Sequence, residues 1–148
     1  MSVIVWDGFA LAVDNGATDG FSMWEADKVW VHEGEFLTGT GHVSTILEMR
    51  DWYRSGADPT LFPFAQRVPE TTCNFIVINN TGLHRYERTH IPINHGFRMC
   101  AFGHGKDFAY GALAMGATAE QAATIASKFS IHCGMGVTTY VMEAKETE

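Results

Sequence analysis

Apolar positions along this chain fall mostly into short runs separated by turn residues, with helical spacing in three places. Val3-Ile4-Val5-Trp6 is an apolar run closed by Asp7-Gly8, a dipeptide that favours tight hairpins. Phe9 to Val13 runs apolar again as far as Asp14-Asn15-Gly16. Lys28 to His32 and Glu35 to Thr38 form a second strand pair turning at Glu33-Gly34. Gly39-Thr40-Gly41 ends that pair and opens a helix from about His42 to Ser55. Val43, Ile46, Leu47, Met49 and Tyr53 lie near one face of it. Pro59, Pro63 and Pro69 then restrict any second helix between Gly56 and Pro69 to a short or broken one.

The centre returns to strands. Cys73 to Ile78 is β-rich, Asn79 to Gly82 is a turn, and Leu83 to Glu87 answers it. Met99 to Phe102 reads as a buried strand ending at Gly103-His104-Gly105. Two helices follow, Lys106 to Met115 and Ala119 to Phe129, the second with Thr118 as N-cap. Ile131 to Cys133 and Val137 to Met142 close the chain as strands around Gly134-Met135-Gly136. Strands, helix, strands, two helices, strands is an α+β order, suited to sheets packed between helical layers.

Composition narrows the class. The 148 residues suit one domain spanning 1–148, and 46% hydrophobic with 18% charged residues excludes disordered, collagenous and coiled-coil chains. A net charge of −7 with scattered Lys and Arg argues against nucleic acid and anionic membranes as partners. No apolar stretch approaches the roughly 18 residues of a membrane span. Three widely spaced cysteines, Cys73, Cys100 and Cys133, make no disulfide framework and fit a reducing, cytoplasmic setting. No CxxC or HExxH pair is present, so Cys100-x-x-x-His104 and His132-Cys133 are weak metal motifs.

The chemistry of interest is at the start. Ser2 follows Met1 and is small enough for methionine aminopeptidase to expose it, leaving a serine with a free α-amine. Such a residue carries nucleophile and base together, because an α-amine has a pKa of about 7.7–8.0. Ser2-Val3-Ile4-Val5, Leu11 to Thr18, Lys28-Val29 and Gly39-Thr40-Gly41 before a helix resemble a known family. So do Phe102-Gly103-His104-Gly105, Tyr110-Gly111 and Ser130 to Gly136. The family is that of the proteasome β-subunits and the bacterial HslV peptidase, the N-terminal nucleophile hydrolases.

The resemblance covers most of the chain and is weakest between Gly56 and Pro69. It implies a four-layer α-β-β-α sandwich with a shortened second central helix. Ser2 matches the nucleophile, Asp14 the aspartate of the family's Asp-x-x-Ala-Thr turn, and Lys28 the lysine beside the nucleophile. Gly41 matches the glycine whose N–H stabilises the oxyanion. Three supporting positions depart from the family. Ser130 stands where an aspartate is expected, and His104 and Cys133 stand where serines are.

Each residue also has a plain structural role open to it. Asp14 suits its turn, Lys28 a strand edge, Gly41 a strand end, and Cys133 a core. The resemblance implies peptide hydrolysis through a Ser2 acyl-enzyme, with no cofactor, inside a homo-oligomeric ring fed by an ATP-dependent unfoldase. The alternatives are an inactive ring-forming structural or inhibitory relative, and a small-amide hydrolase with an open pocket.

Overall fold

In a computed structural model, which describes residues 2–18 and 21–142, period-2 alternation assigns the strand faces. Strand β1 (Val3–Trp6) pairs antiparallel with β2 (Ala10–Asp14), Ile4 opposite Val13 and Trp6 opposite Leu11. Val3, Val5, Ala10 and Ala12 pack into one core, whereas Ile4, Trp6, Leu11 and Val13 pack into another. Successive side chains of a strand point to opposite faces, so a fully apolar strand must be covered on both sides.

A two-strand hairpin, β3 (Gly16–Thr18) and β4 (Met23–Glu25), projects after β2. Strand β5 (Trp30–His32) then turns at Glu33 and Gly34, both at positive φ, into β6 (Glu35–Gly41). Helix α1 (Val43–Arg54) follows, then two 3₁₀ turns at Pro59–Leu61 and Phe64–Arg67. These turns are what the proline-rich stretch leaves of a second helix. Strands β7 (Cys73–Asn79), β8 (Gly82–Tyr86), β9 (Ile93–Gly96) and β10 (Cys100–Gly103) lead to α2 (Lys106–Ala114) and α3 (Ala119–Phe129). Thr118 and Gln121 form a reciprocal capping box on α3. Strand β11 (Val137–Val141) is the last element among the described residues.

Two antiparallel sheets result, one ordered β10-β1-β2-β11 and the other β5-β6-β7-β8-β9. Ile4, Trp6, Leu11 and Val13 meet Ile76, Ile78 and Leu83 between the sheets. The outer face of the first sheet is covered by α2 and α3, whose alanines 109, 122, 123 and 126 allow close approach. Phe75, Val77 and Leu37 on the outer face of the second sheet pack under Ile46, Met49 and Trp52 of α1. The four layers are therefore α, β, β, α, as the family resemblance implied. Among the described residues no helix is long and apolar enough to cross a membrane.

Local expectations needed correction in four places. The expected strand at Ile131–Cys133 is a turn, with Ile131 86% exposed. Its backbone is held by side chains instead of a ladder, His132 N–H on Ser130 Oγ and Gly134 N–H on Asp14. On α1, Val43 is exposed and Leu47 lies at the margin, while Thr45 and Trp52 are buried. The sheet catches the Ile46, Met49, Trp52 line, which lies well to one side of the most apolar stripe. Strands β3, β4 and β9 were not legible, being three or four residues long without apolar alternation. Phe9, expected in β2, instead sits 70% exposed in the hairpin loop.

Candidate active site

Antiparallel pairing of β1 and β2 runs to Ile4 opposite Val13, and the next residue of β2, Asp14, turns its side chain to Val3 at the open end of the hairpin. The Asp14 side chain is fully buried, and an isolated carboxylate there would be costly. Three donors satisfy it. Val3 N–H donates to Oδ1 at 2.9 Å, the Lys28 ammonium donates to the same oxygen at 2.8 Å, and Gly134 N–H donates to Oδ2 at 3.1 Å. Lys28 reaches it from the segment just before β5, with only 12% of its side chain exposed. Its own carbonyl accepts from the buried Thr38 hydroxyl at 2.7 Å. One carboxylate thus ties the ammonium to the peptide that joins Ser2 to Val3.

Ser2 is 6% exposed and is strapped in by the loop after β10. Gly105 N–H donates to its carbonyl at 3.3 Å, and Gly103 pairs with Val3. A Cβ on Gly103 would lie 2.1 Å from the Ser2 oxygen, and its φ is +96°, so this position accepts only glycine. The same Cβ position lies 3.4 Å from the Thr40 methyl, which brings the end of β6 to Ser2. Gly41 is the next residue, at φ +112°, with its back against Cys73 and Thr72.

The remaining candidates surround this centre. Ser130 caps the C-terminus of α3 and is buried; its hydroxyl accepts the His132 N–H at 3.2 Å. Cys133 is buried, its thiol against the Gly105 backbone, and burial pushes its pKa up while a Ser130 hydrogen bond pulls the other way. His104, between the two glycines of the Ser2 strap, meets His132 with ring centroids 4.6 Å apart. Burial first, then nearby positive charge including His132, holds His104 below the ordinary histidine value.

Every sequence candidate therefore lies in one region: Ser2, Asp14, Lys28, Ser130, His104 and Cys133 around the amino end of β1, and Gly41 across from it. Sequence reasoning missed three contributors. Gly103 and the Gly134 N–H act through backbone geometry, which carries no side-chain signal. Thr38 had one: Thr38 and Thr40 alternate with glycines in β6, putting two hydroxyls on one buried face. Among the described residues no three His, Cys, Asp or Glu side chains converge to hold a metal ion.

Solved structures share the fold over nearly the whole chain. BPH from Thiobacillus denitrificans aligns with a TM-score of 0.71 at 17% identity, over 99% of this chain and 99% of its own. The chain has the HslV-type, proteasome β-like fold. A complex of the same BPH with epoxomicin gives a TM-score of 0.67 at 18% identity, over 96% and 97% of the two chains. Eukaryotic HslV from Trypanosoma brucei gives 0.61 at 16% identity, over 97% and 99%. No family model matches the sequence, and no curated protein does. At such identities the HslV-type fold is carried by packing pattern rather than by residue identity. In this chain the packing rests on the two-faced strands, the alanine-lined α3 and the glycine strap.

Proposed function

We propose that this protein is an N-terminal-serine peptidase of the HslV type, acting once Met1 has been removed. The observation that carries the reading is the buried Asp14 carboxylate, which binds the Lys28 ammonium and the Val3 N–H on one oxygen. A positive charge fixed beside Ser2 favours the alkoxide-like character of Oγ as the reaction begins. The freed α-amine takes the Ser2 hydroxyl proton while Oγ bonds to the scissile carbonyl carbon. The Gly41 N–H stabilises the oxyanion that forms. Collapse breaks the C–N bond, and the ammonium returns the proton to the leaving amine. Water then attacks the acyl carbon, its proton passing to the α-amine, and the acyl C–Oγ bond breaks as the ammonium returns that proton to Oγ.

Ser130 supports the amine by hydrogen bonding in this scheme and supplies no charge. His104 and His132 add a polar wall that stays neutral near pH 7 on the His104 side. The catalytic unit is a homo-oligomeric ring in the cytoplasm that takes unfolded polypeptide from an ATP-dependent unfoldase. Exposed apolar groups on the α2–α3 face, among them the stacked Phe108 and Phe129 and the 89% exposed Met115, support assembly through that face.

The experiment is an intact-mass measurement with epoxomicin, the molecule bound to the Thiobacillus BPH. Loss of Met1, a single adduct mapped to Ser2, and loss of both adduct and peptide cleavage in Ser2→Ala are expected. Retained Met1 with no adduct and no turnover would overturn the peptidase reading. Ring particles by mass photometry would then leave the inactive scaffold as the explanation. A monomer with amide turnover would point instead to a small-amide hydrolase.

A further inference from the structure

A cleft of about 1080 Å³ opens directly beside the candidate site, between the end of β6, strands β8 and β9, and the start of α2. Thr40, Gly41, Gly103 and His104 form its inner wall, and these are the residues that abut Ser2 or flank those that do. Ile93, Phe102 and Tyr110 supply an apolar floor. The charged groups do not follow the acidic character of the chain. Arg85, Arg88 and Lys106 line the cleft against Glu87 and Asp107, in a protein of net charge −7.

Pairing sharpens the imbalance. Arg85 is committed: its Nη1 donates to Glu87 at 2.6 Å and to Asn74 at 3.2 Å, and its Nε donates to His95 at 3.1 Å. That contact uses the Glu87 carboxylate. Arg88 and Lys106 make no hydrogen bond or ion pair among the described residues, and both are exposed to the cleft. Asp107 is the one remaining carboxylate, in the first turn of α2. Two free cations over an apolar floor suit an extended peptide whose carboxylate side chains reach Arg88 and Lys106.

We infer that this cleft is a substrate subsite that selects acidic residues close to the scissile bond, with Arg88 and Lys106 as the selecting groups. The inference rests on the peptidase reading and names the substrate class for it. Neutral peptides pass the same wall without these contacts, so both residues set specificity and neither takes part in bond cleavage.

The test uses three labelled decapeptides that differ only in carrying two central Glu, Gln or Lys residues. Binding is read by fluorescence anisotropy on Ser2→Ala protein, and cleavage on the parent protein. At low salt the Glu peptide is expected to bind about fivefold more tightly than the Gln peptide, the scale of two solvent-accessible ion pairs. Salt should erase the difference. In Arg88→Ala/Lys106→Ala the Glu preference should vanish while cleavage of the Gln peptide is unchanged, and Arg88→Glu/Lys106→Glu should favour the Lys peptide. Equal binding of Glu and Gln peptides, or a preference that survives the double substitution, would overturn the inference. Failure of Ser2 to take epoxomicin would overturn the peptidase reading instead, and the anisotropy comparison would still decide the cleft.

Discussion

Replacing Asp14 with asparagine keeps the shape of the site and removes its charge. The carboxylate is fully buried and the Lys28 side chain is only 12% exposed, so the substitution leaves an ammonium with little water and no partner. Removing one member of a buried ion pair costs about 3–5 kcal/mol. The asparagine amide also presents a donor to one of the two backbone N–H groups that the carboxylate had satisfied, at about 1–3 kcal/mol for an unmet buried donor. These costs share one network and do not add fully, so the expectation is about 4 kcal/mol. For a domain of this size that is a fall in Tm of roughly 8–16 °C, out of a total stability of about 5–15 kcal/mol. Urea unfolding followed by fluorescence of the buried Trp6 and Trp52, at fixed protein concentration, measures it. The double variant Asp14→Asn/Lys28→Met should be less destabilised than the sum of the single variants by more than about 1 kcal/mol, because no orphan charge remains. A loss below about 1 kcal/mol for Asp14→Asn, or strict additivity in the cycle, would refute the reasoning.

Three further outcomes follow from other parts of the structure. Gln66 is fully buried and bridges the ends of β7 and β8, donating to the Cys73, Tyr86 and Glu87 carbonyls and accepting from Cys73 N–H at 2.9 Å. Gln66→Leu should therefore cost about 3 kcal/mol in urea unfolding, and a neutral result would mean that water replaces those bonds. His104 titrates below its unfolded value of about 6.5, so the unfolded chain binds the extra proton first as pH falls. Stability from this group is present above that value and is lost as pH falls through the folded one; His104→Gln should flatten the acid limb of a Tm-against-pH curve, and an unchanged limb would contradict the assignment. Burial pushes the Cys73 and Cys100 thiols up to about 12 and Cys133 upward as well, so none should alkylate with iodoacetamide at about pH 8 until the protein unfolds. Rapid native labelling of any of the three, read by mass, would count against its burial.

Much of the site was legible because it is made of residues whose chemistry is local in the chain. Ser2 depends only on following Met1, Asp14 ends a plain apolar run, and Gly39-Thr40-Gly41 marks its own strand end. Helix α3 was readable to the residue, since the Thr118 and Gln121 capping box acts over three positions. The Ile131–Cys133 segment misled because its apolar run resembles a strand, while its backbone partners, Asp14 and Ser130, come from the turn itself and from 120 residues away. The buried stripe of α1 misled for a related reason. Helical periodicity ranks faces by hydrophobicity, but the sheet beneath chose the Trp52 line over Val43 and Leu47.

Continuous apolar runs in β1, β2 and β7 required two covered faces per sheet, and the element order offered one helix and then two to cover them. That is enough for sheets enclosed by helices, because the burial of an apolar face does not depend on which partner covers it; the four-layer order is what the family resemblance implied. Which charges meet is another matter. Lys28 could have been a solvated strand-edge residue until the fold closed Val3, Lys28 and Gly134 onto one carboxylate. His104 and His132 became neighbours in the same way, and Arg88 and Lys106, without an ion pair among the described residues, came to line one cleft beside them. Electrostatic contacts act over a few ångströms between residues far apart in sequence, and a one-dimensional pattern carries hydrophobic period without carrying those distances.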